Sequence, residues 1–158
     1  MNFGELLRDK RIERVSFTPS DAWDQLAVAH RDLRTSEEIL ETNLDWAYIV
    51  AYNAALQSAR ALLFAHGFRP KGAEQHVTAV LALSAAGVDA DTVDVVDRMR
   101  RKRHKVVYDE VGLVSRGDAM RAISTARSVI ECVQVMMTQV LGESDSGDES
   151  DEPEGQVT

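Results

Sequence analysis

Along most of this chain apolar residues recur at three- and four-residue steps, and each run opens on a residue suited to cap a helix. Leu26, Ala29, Leu33, Ser36 and Leu40 form one such stripe, with charge on the opposite face. Its start is written in Thr18-Pro19-Ser20-Asp21: Thr18 as N-cap, Pro19 at the first helical position and Asp21 three residues on to close a capping box. The spacing predicts a helix from there to about Glu41 or Thr42. Asn43 caps a second helix, which Gly67 stops, with Pro70 just beyond. Ala47, Ala51, Ala54, Ala55, Ala59, Ala61 and Ala65 keep this second helix thin on more than one side, so neighbours can approach it closely. It is therefore expected at the centre.

A shorter third helix is expected from Glu74 to Ala86, ended by Gly87, and a fourth opens at Asp91 with Asp94. Ser115 and Asp118 repeat the cap pattern for the last helix. In it Ala119, Ile123, Ala126, Ile130, Val133, Met137 and Val140 alternate four and three apart, a seam of the kind that packs left-handed bundles. Residues 1–17 carry mixed charge around Leu6 and Leu7 and suit a short helix or an ordered arm. No period-two strand pattern and no Gly-rich phosphate loop is visible. The expectation is an all-α fold: an up-and-down bundle of four to five helices over residues 18–142.

Composition agrees. With 44% apolar and 28% charged residues in 158, few aromatics and three prolines, the chain suits one soluble helical domain. A lone Cys132 excludes an intramolecular disulfide and suits a reducing cytoplasm, and no stretch has the roughly 18 to 20 apolar residues that span a bilayer. Charge changes the picture more. The formal net charge is -8, yet residues 143–158 hold seven acidic residues and no basic one. That segment is too polar to offset its own ordering entropy and is expected to be a disordered acidic tail.

Against this acidic balance, six Lys or Arg residues fall within the eight positions from Arg98 to Lys105, on the fourth helix. Val96, Met99, Arg103 and Val106 share one helical face, which sets Arg103 inside the apolar stripe, while Arg100, His104 and Tyr108 line up beside it at steps of four. An Arg at a core-like position needs a carboxylate, a phosphate or a second subunit. Arg101, Lys102 and Lys105 are expected on the solvated side, from which Arg101 and Lys105 still add to a field that draws anions. His30, His66, His76 and His104 show no metal-ligand spacing, so no metal and no cofactor is expected. His66 ends a helix, a packing or capping role is expected for His76, Cys132 is expected to be a packing residue, and Asn53 and Arg60 are expected at a cleft or its polar rim.

Two segments, AYNAALQSARALLFAHGFRPKGAEQH and RMRRKRHKVVYDE, carry a resemblance to the HEPN family, small helical bundles of toxin-antitoxin and defence systems. The resemblance covers roughly residues 20–140. It implies a homodimer that pairs two basic helices across a two-fold axis, an RNA or nucleotide ligand, and in some members a nucleotidyltransferase-like antitoxin that modifies a Tyr near the catalytic His. Active family members carry Arg, four to six residues, then His. One register sets Arg98 against His104; the other starts at Arg103, followed by polar His104, and finds Tyr108 where the His belongs. The resemblance implies a catalytic set of Arg98, Arg103, His104 and Tyr108 for metal-independent RNA cleavage, with phosphate held by Arg98, Arg100, Arg101, Arg103 and Lys105. Such cleavage needs a base for the 2′-hydroxyl proton, and an ordinary imidazole of pKa about 6.5 suits it where a phenol of about 10 does not. The competing expectation is a catalytically silent module that binds a nucleotide or a partner.

Overall fold

In the computed structural model, which describes residues 1–109 and 111–142, the chain runs α1 (Phe3–Arg8), β1 (Ile12–Arg14), α2 (Pro19–Glu38), α3 (Leu44–Ala65), β2 (Phe68–Pro70), α4 (Gln75–Ala86), α5 (Ala90–Tyr108) and α6 (Arg116–Leu141). The acidic segment 143–158 lies outside the described residues. The all-α bundle expected from the periodicity is the observed architecture, with one addition, a two-stranded antiparallel ribbon of β1 and β2.

The caps explain where the helices begin. Asp21 N–H donates to Thr18 Oγ1 at 3.1 Å while Thr18 N–H donates to the Asp21 carboxylate at 2.9 Å. Ser115 and Asp118 repeat the exchange at 3.0 and 3.1 Å, and Asn43 accepts from Trp46 N–H at 3.0 Å. Removing the Ser115 hydroxyl as Ser115→Ala is expected to cost about 1 kcal/mol in a denaturant melt. A loss below about 0.3 kcal/mol would mean that packing alone holds the start of α6. Two boundaries differ from expectation. The N-cap of α5 is Asp89, whose carboxylate accepts from both the N–H and the hydroxyl of Thr92, so Asp91 sits in the first turn and Asp94 beyond it. α2 ends at Glu38 rather than near Glu41, because the chain turns through Ile39 to Thr42 to reach the Asn43 cap.

α3 occupies the centre, packed against α2, α4, α5 and α6. Ala47, Ala51, Ala54, Ala55, Ala59 and Ala61 are all essentially inaccessible, which lets four helices share one axis. α6 buries Ala119, Ile123, Ala126, Ile130, Val133 and Met137 as its seam requires, but also Ala122 and Val129, and leaves Val140 exposed. Its apolar stripe is thus broader than a two-position seam, as fits a helix packed on more than one neighbour. The ribbon closes a second small core of Leu6, Ile12, Leu63, Phe68 and Ala82 under α1. Its strands are three residues each, too short for a period of two to register in the sequence. Pro70 takes the end of β2 opposite Ile12, at the edge of the ribbon, where a missing N–H is tolerated.

Candidate functional site

α5 presents its basic residues in three directions. Val96, Met99 and Val106 are buried, and Arg103 lies half-buried on their stripe, as the spacing requires. Arg98 is exposed and lies about 140° round the helix from Arg103. It lines a groove of about 540 Å³ between α5 and α6 together with Tyr48, Lys102, Asp118 and Arg121. The two candidate registers of the motif therefore face different sides of the bundle. His104 and Tyr108 share the outer face at the end of α5, rings 4.8 Å apart and tilted by 45°, and Tyr108 is 67% exposed.

Arg100 and Arg103 act on a pair of side chains that sequence periodicity did not single out together. Tyr52, buried in α3, has its hydroxyl 2.9 Å from Nδ1 of His76 in the first turn of α4, and the two rings lie nearly parallel. Burial pushes the Tyr52 hydroxyl up to about 12, against the pull of Arg100, Arg103 and Arg60. Burial, reinforced by the charges of Arg103, Arg60 and Arg100, pushes the His76 imidazole below its ordinary value. In a neutral imidazole one ring nitrogen donates and the other accepts, so either the hydroxyl donates to Nδ1 or Nδ1–H donates to the hydroxyl. The packing role expected for His76 thus comes with a specific hydrogen-bond partner. The cap residue of α4 is Glu74, which makes no side-chain cap bond. What could have found Tyr52 is the i, i+4 pair of Tyr48 and Tyr52, the only hydroxyl-bearing aromatics on an otherwise Ala-rich face.

The remaining cations divide between pairing and solvent. Arg100 Nε donates to Asp97 at 2.8 Å, and Arg101 reaches the same carboxylate at 3.6 Å. Lys105 is exposed, as expected. Lys102, expected to be solvated, is instead paired: its ammonium lies 2.8 Å from Asp118 and 5.5 Å over the Tyr48 ring, which ties α5 to α6 and α3. The Lys102 ammonium, helped by the Ser115 backbone and hydroxyl and by Arg121, holds the Asp118 carboxyl far below the usual carboxylate range. A depressed native pKa stabilises the fold above the unfolded value of about 3.9 and is lost as pH falls through the native one. Acid unfolding of Asp118→Asn, followed by circular dichroism, is therefore expected to show a shallower loss of stability below about pH 4 than the parent. An unchanged slope would remove Asp118 as a determinant.

Asn53 donates to the buried carboxylate of Asp32 on α2 at 2.7 Å and is a packing contact, whereas Arg60 lies on the Tyr52–His76 side. His66 packs on Phe3, His30 lies 3.3 Å from Gln134, and Cys132 is half-buried with its sulfur 3.8 Å from that of Met136. Among the described residues no three His, Cys, Asp or Glu side chains are grouped to hold a metal ion, and no helix is long and apolar enough to cross a membrane. What the α3–α4–α5 face offers chemically is a set of positive donors around a neutral imidazole, suited to an anion. His104 lies on a different face of α5, beside Tyr108.

The crystal structure of TT1696 from Thermus thermophilus is similar in fold, with a TM-score of 0.61 and 20% identity, over 73% of this chain and 97% of that one. No curated protein matches the chain. HEPN domains often dimerise, and the family supports a nucleotide- or RNA-related function in general. The HEPN domain family model matches residues 22–136, from the first turn of α2 almost to the end of α6, so this chain belongs to the HEPN family.

Proposed function

We propose that this HEPN domain acts on RNA or a nucleotide as a homodimer, and that it is a metal-independent endoribonuclease of a toxin-antitoxin or defence system. The observation that carries the reading is Arg103. It sits half-buried in the apolar stripe of α5 and pairs with no carboxylate among the described residues, as suits an arginine that receives an anion from outside the bundle. An anion drawn to it gains Arg100 and Arg60 beside it, and His104 with Tyr108 stand on the adjoining outer face where a second α5 could bring them to the same phosphate. Arg98, Arg101 and Lys105 add to the field around that helix.

The alternative is a silent module that engages a nucleotide or a nucleotidyltransferase-like partner. It is favoured by Tyr108, which occupies the position of the usual His in the Arg103 register and is exposed enough to be modified. Two measurements separate these readings. Single-stranded RNA incubated with the protein in EDTA is cleaved if the first holds and stays intact if the second does. RNA binding that neutralises several phosphates is expected to weaken by about 10³-fold or more between 50 and 200 mM salt. Affinity indifferent to salt would remove phosphate contacts from both.

A further inference from the structure

The Tyr52–His76 pair has no part in the proposed cleavage, yet it is the most specifically built polar feature near α5. Three helices contribute to its surroundings. Tyr52 and Arg60 come from α3, His76 from the start of α4, and Asp97, Arg100 and Arg103 from α5. Tyr52 holds the imidazole ring through Nδ1; with the hydroxyl donating, Nε2–H is left as a donor in one orientation. The charges of Arg60, Arg100 and Arg103 act on the pair, and the one carboxylate beside them, Asp97, is already shared by Arg100 and Arg101, so the cluster is positive. Apart from Asp97, the charged groups of the cluster are donors. Arg60, which donates to Gln57 at 3.4 Å, also lines a groove of about 540 Å³ with Phe64 and Gln75 and with the charged Glu13, Arg69 and Lys71. Arg60 is thus common to the charged cluster and to this groove.

We propose that this face is a phosphomonoester site formed within one protomer, in which Arg60, Arg100, Arg103 and Nε2–H of His76 hold a terminal phosphate and the attached nucleoside lies in the Gln57–Phe64 groove. The choice of monoester over diester follows from charge. A monoester carries about -1.5 to -2 at pH 7 and offsets more of that positive charge than an internal diester, which carries one negative charge. Three non-bridging oxygens also use more of the donors than two can. Tyr52 acts here as a positioning residue, through the ring it orients. The site rests on the nucleotide-binding part of the reading above but requires neither cleavage nor a dimer. Two sources share this chemistry, a free 5′-mononucleotide and the 5′-phosphorylated end of an RNA.

The test compares labelled oligonucleotides of one sequence with a 5′-phosphate or a 5′-hydroxyl, by fluorescence anisotropy with the full chain. The phosphorylated form is expected to bind about tenfold tighter or more, a step the size of one or two charge-assisted hydrogen bonds. Arg60→Gln is expected to abolish the difference and Arg127→Gln, on the far α2–α6 edge, to keep it. Uridine 5′-monophosphate, with uridine as the blank, identifies a free nucleotide by competing; if it does not compete while the end preference holds, the ligand is an RNA terminus. As a second readout, the His76 ring resonances should shift with the mononucleotide and not with uridine if the nucleotide is the ligand, and with the phosphorylated but not the hydroxyl oligonucleotide if it is the RNA end. Equal affinity for both ends, with RNA still bound, overturns the proposal and leaves the RNA reading standing. Failure of both oligonucleotides and of uridine 5′-monophosphate to bind at low salt overturns the proposal and the RNA-or-nucleotide reading together. The wild-type comparison decides the matter even if Arg60→Gln fails to fold.

Discussion

Replacing Leu62 by alanine is expected to lower the stability of this domain by about 2–5 kcal/mol, towards the upper part of that range. Leu62 is 1% exposed on the central helix and belongs to the main core. The loss has two parts, the transfer free energy of the deleted methyl groups and the cavity they leave. How much of the cavity survives depends on whether neighbours can move into it. On its own helix little can do so, because Ala59, one turn before it, has no side chain to swing. Against a total of about 5–15 kcal/mol for an ordinary domain, the change is a large fraction, and the melting temperature should fall by on the order of 10 °C. Val135→Ala, at a 60% exposed position on α6, is expected to stay within about 0.5 kcal/mol. A loss below about 1 kcal/mol for Leu62→Ala would show that the Ala-rich helix is loosely enough packed to relax.

The same feature shows why the bundle could be read from sequence and the site only in part. Helix starts are local chemistry: Thr18 with Asp21, Asn43, and Ser115 with Asp118 each do in the structure what their spacing implies. The position of Arg103 on the buried stripe of α5 is likewise a matter of 3.6-residue geometry and could be read directly. What Arg103 faces depends on how far apart helices lie in the fold, and no window of sequence contains that. Tyr52 and His76 are 24 residues apart and meet only because α3 and α4 fold back on each other around Gly67. The Lys102–Asp118 ion pair escaped for the same reason, and a basic run naturally reads as a solvated face until a carboxylate on another helix is found opposite it. The β1–β2 ribbon is a different failure. Its strands are too short for any periodicity and are held by Leu6, Ile12, Leu63 and Phe68 from four elements.

The largest functional effect is expected from His104→Ala, which should reduce RNA cleavage in EDTA by about 10²–10⁴-fold, the usual contribution of a positioned base, while Cys132→Ala leaves it unchanged. The geometry adds a sharper expectation. Within one protomer Arg103 lies on the face turned to Tyr52 and His76, and His104, one residue on, is rotated by about 100° to the exposed face with Tyr108. One helix cannot aim both at the same phosphate. If cleavage occurs, the cation therefore comes from one protomer and the imidazole from its partner. Arg103→Gln and His104→Ala should each be inactive alone and recover part of the activity when mixed and allowed to exchange subunits. In the mixed dimer an intact Arg103 stands opposite an intact His104 at one of the two sites. A mixture that stays inactive after exchange, with each variant folded and dimeric, would place both groups in one protomer and rule out the shared cleft. Wild-type protein that leaves RNA whole under every condition would remove His104 from catalysis altogether, and the exposed His104–Tyr108 face would then be the surface by which a silent domain meets its partner.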